Sequence, residues 1–266
     1  MCKILLAVLS LVLTAPLDGG AAMLIAARAS FAISRAKRWV NPYVADGLVA
    51  MWDGIWNAGG GKHTDDVAAI VPIVGTRISL SPNFIVHSDG LYNATLNNSS
   101  KMIIDLAAPV VDVGTGPGGG STIELVIGCD SYRTANNGSF VAGEPWTSTT
   151  KWEFYAYPTS STPTVRAFSG NVTWDTYEKF VADGVVRSHV LRRVYSGTNN
   201  LTYWRNGVRL KFVTMNGRNQ ITHTRIVFRL GGFPGILKAV RVYGRPLTDA
   251  ELAAHYAIDK TRFGLS

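Results

Sequence analysis

The feature that most constrains the fold of this chain is a series of short apolar runs separated by turn-forming residues. Gly, Asn, Ser and Thr interrupt the runs, and none is long enough for a core helix. Ten short strands with turns between them predict an all-β domain, a two-sheet antiparallel sandwich. The runs are Gly47–Trp52, Phe84–His87, Lys101–Ala107, Ser121–Gly128, Trp152–Tyr157, Ser188–Tyr195, Leu201–Arg205, Val208–Val213, Thr224–Leu230 and Ile236–Tyr243.

One hairpin can be predicted to the residue. Asn206-Gly207 is the preferred dipeptide of a type I′ turn, so Arg205 should lie opposite Val208. Continued along both strands, this register predicts a buried face formed by Leu201, Tyr203, Val208, Leu210 and Phe212. On the other face, Trp204 should lie opposite Arg209 and Thr202 opposite Lys211. Trp204 is either exposed there or buried beneath a loop or second layer.

The end of the chain predicts a single helix. Thr248 and Glu251 have the spacing of a capping box, and Leu247 and Leu252 have that of a hydrophobic staple. We therefore expect a helix from about 249 to 258 that closes the domain.

The first 43 residues differ from the remainder. Residues 1–22 hold a basic residue, an apolar run and small residues, as in a secretory signal, although Met23 as the true start or a retained helix would also explain them. Residues 23–43 predict a basic amphipathic helix and a linker. That helix either packs on its own domain or docks on a membrane or larger assembly, and residues 44–266 form the β domain.

Three stretches resemble the laminin G-like family of concanavalin A-like jelly rolls: Gly47–Asp53, the LTYWRNGVRL hairpin and the segment 239–263. The resemblance covers most of residues 44–263 and is strongest to versions found in gut Bacteroidales and their bacteriophages. It implies a jelly roll with a binding role, often with calcium at the rim. The family motif R-x-Y-x-R-x-L-(S/T)-x-x-E corresponds here to Arg241, Tyr243, Arg245, Leu247, Thr248 and Glu251.

Catalytic chemistry is not predicted. Glycoside hydrolases of this fold need two carboxylates a few ångströms apart, but Glu124 and Glu153 are each the only acid in their strands. The histidines have no nucleophile in a recognised elbow, and Cys129 is expected to be a small buried hydrophobe. We therefore predict no enzyme and no catalytic residue.

Metal binding is left open by the sequence. Calcium requires hard oxygen ligands, which Asp65 and Asp66 beside His63, or Asp112, could supply. Adjacent acids in a loop are more often simply solvated, so no ligand set is assigned and no other cofactor is expected.

Charge is distributed unevenly. Residues 151–266 carry 17 basic and 7 acidic residues, and no acid occurs from Gly184 to Leu247. This predicts a basic sheet face that meets an anionic partner. Alternatively, the arginines pair with acids of the first half. Nucleic acid is not expected, because no recognition motif accompanies the charge. The candidate ligand-binding residues are Trp204, Arg209, Lys211, Arg225 and Arg229.

The functional prediction is a non-catalytic binding or adhesion module for a glycan or another anionic polymer, located outside the cell, on its surface or on a virion. The first alternative is a structural protein of a phage virion or surface assembly, attached to other proteins by the N-terminal helix. The second is a glycoside hydrolase, and oligomers are possible. Further aromatic candidates for the ligand are Trp146, Trp152, Tyr155, Tyr157 and Trp174.

Overall fold

In the computed structural model, residues Val40 to Ser266 form a unit of their own. The predicted signal segment, the Met23 start and the basic helix of residues 23–39 lie outside the described residues. The structure describes residues 40–56, 71–80, 84–93, 101–111, 119–129, 138–144, 151–159, 162–170, 172–179, 183–215, 222–228 and 235–266.

These residues contain fifteen strands and one helix. The elements are β1 (Leu48–Asp53), β2 (Arg77–Leu80), β3 (Phe84–His87), β4 (Gly90–Asn93), β5 (Met102–Val111), β6 (Gly120–Cys129), β7 (Gly138–Glu144), β8 (Lys151–Thr159), β9 (Thr162–Gly170), β10 (Val172–Lys179), β11 (Arg187–Tyr195), β12 (Asn199–Arg205), β13 (Val208–Met215), β14 (Thr222–Phe228), β15 (Gly235–Tyr243) and α1 (Asp249–Phe263).

The strands form two antiparallel sheets. Sheet 1 has the order β13-β12-β11-β6-β15, and the other side of β15 pairs with β4 near its start and with β1 near its end. Strand β3 completes sheet 1 beside β4. Sheet 2 has the order β10-β9-β8-β7-β14-β5-β2. The predicted fold class, an all-β two-sheet sandwich closed by one C-terminal helix, is confirmed.

The main hydrophobic core lies between the two sheets. Leu125, Leu191 and Val240 of sheet 1 pack in one cluster with Ile104 and Phe228 of sheet 2. The opposite, outer face of sheet 1 is covered in part by α1. Strand β6 is consequently buried along its whole length, between the core on one side and the helix on the other. Each fully buried side chain of this kind stabilises the fold by about 1.5–3 kcal/mol.

All ten predicted strands are present, but β2, β4, β7, β9 and β10 were not predicted. Their sequences explain the omission. Strands β2 and β4 have four residues each, and β9 contains Pro163 within TPTVRAFSG. Glycines in β7 and charged residues in β10 interrupt the alternation by which strands are recognised. Tertiary pairing forms these strands despite their weak local pattern.

The predicted hairpin register is correct only near its turn. Asn206 and Gly207 have the positive φ values of a type I′ turn, and Trp204 lies opposite Arg209. A bulge in β13 then shifts the pairing, so that Tyr203 lies opposite Lys211 and Leu201 opposite Val213. The predicted buried positions of Val208 and Phe212 are wrong: these side chains are 59% and 54% exposed. The bulge explains Phe212, which it moves opposite Thr202, whereas Val208 keeps its predicted partner Arg205 beside the turn.

The predicted helix is correct at its start and too short at its end. Thr248 and Glu251 form the full capping box. The helix extends five residues beyond 258, to Phe263, and Gly264 ends it with a left-handed backbone at φ 66°. The added turn contains Asp259 and Arg262, whose side chains are anchored in the buried interior described below.

Candidate functional site

The structure places Trp204 beneath α1. Its side chain is 7% exposed and packs in one cluster with Leu247 and Leu252. The guanidinium groups of Arg192 and Arg209 lie 5.6 and 5.9 Å from the centre of its ring. Of the two interpretations of Trp204, exposed or buried, the structure therefore shows burial. Its ring packs in the interface between sheet 1 and α1.

The other predicted ligand-binding residues do not share one face. Arg209 is half-exposed on the outer face of sheet 1. The bulge places Lys211 opposite Tyr203, a residue of the core-facing side of the sheet. Arg225 lies on β14 of sheet 2, with its Nε 2.8 Å from Asp105. Arg229 and the aromatic candidate Trp146 lie outside the described residues. The remaining aromatic candidates belong to β8 and β10, in sheet 2.

Most of the described basic residues in the acid-free segment form ion pairs, although Arg192 and Arg209 share one carboxylate, that of Asp249. Of the ten Lys and Arg residues of this segment that the structure describes, at least seven pair with a carboxylate at 3.9 Å or less. Four of these seven have partners from the first half of the chain, as the alternative interpretation expected. The pairs are Arg187–Asp183, Arg192–Asp249, Arg209–Asp249, Arg225–Asp105, Lys238–Asp89, Arg241–Glu124 and Arg245–Asp46.

The strongest cluster of charged groups lies under α1 and is closed to solvent. Arg241 of β15 donates from Nε to Glu124 of β6 at 2.6 Å and from both terminal nitrogens to Asp259 of α1. All three side chains are 1% exposed or less. At the edge of this cluster, Arg262 pairs with the buried carboxylate of Asp53 at 2.8 Å. We call these residues, with Tyr43 and His255, the buried network.

Tyr43 and His255 connect this network to the segment that precedes β1. The hydroxyl of Tyr43 donates to Asp259 at 2.6 Å, and its ring lies 3.9 Å from the Arg241 guanidinium carbon. The backbone N–H of Val44 donates to Nε2 of His255 at 3.1 Å. The ring proton of His255 is therefore assigned to Nδ1, which lies 3.0 Å from both oxygens of Glu124.

Electrostatics in the buried network follow from burial and pairing. Burial raises the pKa of Tyr43 and of Asp259. Burial also opposes ionisation of Glu124, but Arg241 and the hydrogen bond with His255 outweigh it and hold the pKa of this carboxyl below its ordinary value. The network thus joins sheet 1, α1 and the segment before β1 through charge-assisted hydrogen bonds.

Glu124 cannot act on a substrate in this position. It was the best acid candidate for a hydrolase, yet its carboxylate is sealed between β6, β15 and α1. Cys129 is buried, as predicted. Among the described residues, no group of three or more His, Cys, Asp or Glu side chains could hold a metal ion. The calcium candidates Asp65, Asp66 and Asp112 lie outside those residues, so calcium binding stays a prediction.

The hairpin of β3 and β4 presents a second cluster of similar residues, but at the surface. Phe84 and Val86 point into the core, while Ile85 and His87 alternate with them and are exposed. Lys238 of β15 donates from Nζ to Oδ2 of Asp89 at 2.7 Å, and the Tyr92 hydroxyl lies 3.4 Å from the same oxygen. The rings of His87 and Tyr92 meet edge to face, with centroids 4.8 Å apart. We call His87, Asp89, Tyr92 and Lys238 the surface cluster.

Two glycines allow the backbone segments beneath the surface cluster to pack closely against each other. A Cβ at Gly90 would lie 2.8 Å from Ile236, and one at Gly54 would lie 2.6 Å from the carbonyl oxygen of Lys238. The N–H of Gly54 also donates to that carbonyl at 2.6 Å. The end of β1, the β3–β4 turn and β15 therefore approach each other too closely for larger residues, which fixes the cluster's geometry.

The sequence identified part of the buried network but not its function. In the sequence, Arg241, Tyr243 and Arg245 stood out only as positions of the family motif. In the structure, Arg245 links Asp46 and Glu251 at 2.8 and 2.7 Å. The i, i+4 spacing of His255 and Asp259 was a usable signal for a buried helix face. Nothing in the sequence pattern brings Lys238 next to Asp89, because 149 residues separate them.

No family model and no curated protein sequence matches the chain. Solved structures are similar to it in fold. The receptor binding domain of botulinum neurotoxin C/D mosaic serotype has a TM-score of 0.56 and 10% identity, over 80% of this chain and 52% of that chain. For the botulinum neurotoxin serotype D binding domain the TM-score is 0.55, with 10% identity, over 80% of this chain and 51% of that chain.

The binding domain of Paraclostridial Mosquitocidal Protein 1 gives a TM-score of 0.53 and 13% identity, over 79% of this chain and 51% of that chain. This chain thus spans about half the length of these structures. The comparison agrees with the β-sandwich, whereas membership of the laminin G-like family stays a prediction. Among the described residues, no helix has the length and apolar character needed to cross a membrane.

Proposed function

We propose that the chain is a non-catalytic binding module that attaches to a glycan or another polymer on a surface outside the cell. The observation that carries the proposal is the shared fold, because the similar structures are receptor binding and binding domains of toxins. A fold supports many functions, so the residues must also agree. The residues agree with a binding role in two respects: the acids of the buried network are closed to a substrate, and the surface cluster is open to a ligand.

The non-catalytic part of the proposal is supported by Glu124. A glycosidase needs its acid and its nucleophile or base at the scissile bond. Glu124 instead accepts hydrogen bonds from Arg241 and His255 in a site that is 1% exposed. Its role is structural in this arrangement.

The ion pairs argue for a ligand with modest charge. An exposed array of uncompensated arginines would attract a polyanion strongly. Here Arg209 and Arg225 are half-exposed and partly compensated, since their partners Asp249 and Asp105 each pair with two arginines. We therefore place a glycan before a polyanion among the ligands of this module.

A binding assay with two classes of polymer tests the proposal. The full chain would be incubated with immobilised neutral polysaccharides and, separately, with heparin and alginate, at low and physiological salt. Retention on a neutral polysaccharide that is insensitive to salt is the expected result. Release of sugar products would contradict the non-catalytic role, and absence of retention on every polymer and on whole-cell surfaces would contradict the binding role.

A structural role in a virion stays the first alternative. Its test is a mass-spectrometric inventory of purified particles, in which stoichiometric amounts of the chain would support it. The two roles are compatible, since a particle protein can also adhere to a surface.

A further inference from the structure

We infer that the surface cluster of His87, Asp89, Tyr92 and Lys238 is a binding site for a neutral sugar with adjacent hydroxyl groups. This inference rests on the proposed binding function and names its site and ligand class. The cluster lies on the outer face of sheet 1, the face that carries α1.

The polar groups match a pair of neighbouring hydroxyls. Lys238 holds Asp89 ionised, because its hydrogen bond lowers the pKa of that carboxyl. Lys238 and Tyr92 both reach Oδ2 of Asp89. The carboxylate also accepts a backbone hydrogen bond, but each of its oxygens has two lone pairs, so Oδ1 can accept from one hydroxyl. The ammonium of Lys238 has three donors and can serve the next hydroxyl. A hydroxyl both donates and accepts, as this pair requires.

The aromatic groups supply the apolar side of such a site. His87 and Tyr92 stand edge to face beside the carboxylate, and Ile85, 48% exposed, lies directly across from Tyr92 on the neighbouring strand. A sugar ring has an apolar face of C–H groups in addition to its hydroxyls. Ring and aliphatic surface next to Asp89 and Lys238 therefore offer both kinds of contact at once.

The charge balance of the site selects a neutral ligand. One carboxylate and one ammonium cancel, so a sulfated or carboxylated polymer gains no net attraction there. The geometry is also prepared in advance. The side chain of Lys238 is only 13% exposed, and Gly54 and Gly90 fix the backbone that carries Asp89. A site that is rigid before binding loses less entropy on binding.

Four forms of the full chain test the inference. They are wild type, Asp89→Asn, Tyr92→Phe and the control Asp183→Asn. Asp183 is a matched residue, an exposed aspartate that pairs with Arg187 at 2.7 Å. Each form would be titrated with soluble arabinan, xylan, mannan and laminarin, after its unfolding midpoint has been compared with that of wild type.

We expect Asp89→Asn to weaken binding of the retained polysaccharide roughly tenfold, since a hydrogen bond to a charged group is lost. Tyr92→Phe keeps the ring but loses the hydroxyl that contacts Asp89, and it should weaken binding about threefold. Asp183→Asn should bind as wild type does. If Asp89→Asn binds the polysaccharide as tightly as wild type does, this inference is wrong and the proposed function stands. Binding to heparin or alginate alone would also overturn it, and no binding to any polymer would overturn both.

Discussion

The buried network and the surface cluster contain the same kinds of side chain in two settings. Each combines an aspartate, a basic residue, a tyrosine and a histidine: Asp259, Arg241, Tyr43 and His255 in one, and Asp89, Lys238, Tyr92 and His87 in the other. In the first, Arg241 and Asp259 are 1% exposed, whereas in the second the Asp89 side chain is 57% exposed.

This difference in burial separates a structural role from a binding role. A buried charge must be paired, because leaving it alone in a low-dielectric interior is costly. In the surface cluster Asp89 is largely exposed and stays solvated without its partner, so the pair with Lys238 contributes little to stability and the carboxylate is available to a ligand. We therefore expect changes in the buried network to alter stability, and changes in the surface cluster to alter binding.

The largest expected effect comes from removing the basic residue of each cluster. Arg241→Met leaves Glu124 and Asp259 without their shared partner and should lower the free energy of unfolding by about 3–5 kcal/mol. Lys238→Met should lower it by less than about 1 kcal/mol. Urea denaturation of both variants measures the difference. Equal losses would show that burial does not distinguish the two clusters.

A second test of burial uses pH. His189 is fully buried, with Nδ1 2.8 Å from the Tyr203 hydroxyl, and burial, with the charges of Arg205 and Arg187, lowers its pKa from 6.5 to about 3. Below pH 6.5 the unfolded chain therefore binds a proton that the native state does not. Stability should fall by up to about 1.4 kcal/mol for each pH unit between 6.5 and 3.

His189→Gln removes this titration and should reduce the slope of stability against pH in that window. Denaturation series from pH 6.5 to pH 4 would measure it. A slope identical to that of wild type would mean that His189 is not a neutral buried group.

A smaller effect is expected at the helix that covers the buried network. Oγ1 of Thr248 accepts from the Glu251 N–H at 3.2 Å, so Thr248→Ala should lower the unfolding free energy by about 1 kcal/mol. Thr261→Ala is the matched control, because this exposed threonine of the same helix only bonds back to the Ala257 carbonyl. An effect as large in the control would show that the cap is not the cause.

The smallest expected effect is at Phe212. An exposed Phe212 should tolerate Phe212→Ala with a change within about 0.5 kcal/mol. In the register without the bulge this ring would be buried, and its loss would cost about 3–5 kcal/mol. Thermal or urea unfolding of this single variant therefore tests the bulge itself.

Local signals in the sequence were sufficient for several elements. The alternation of β3, the Asn206-Gly207 turn and the capping box at Thr248 are each encoded by neighbouring residues, and all three are confirmed. The bulge in β13 was not predictable from the turn dipeptide. Leu210 is its extra residue and packs against the core, a contact that turn chemistry does not encode. The same applies to the short strand β2, which exists through its pairing with β5.

The candidate site was harder to predict than the fold. The number of basic residues indicated a basic face, but Arg225 and Lys238 form ion pairs with carboxylates that are distant in sequence. Trp204 has the residue type of a ligand platform, yet the outer face on which it lies is the face that α1 covers. Periodicity assigns a side chain to a face, and it does not reveal what packs on that face.

The most direct test of the division between structural and binding clusters is the affinity of Asp89→Asn for a neutral polysaccharide that wild type retains. It should be measured on protein whose unfolding free energy lies within about 1 kcal/mol of wild type. We expect a roughly tenfold weaker affinity at unchanged stability. Unchanged affinity, or a loss of stability as large as that of Arg241→Met, would contradict it.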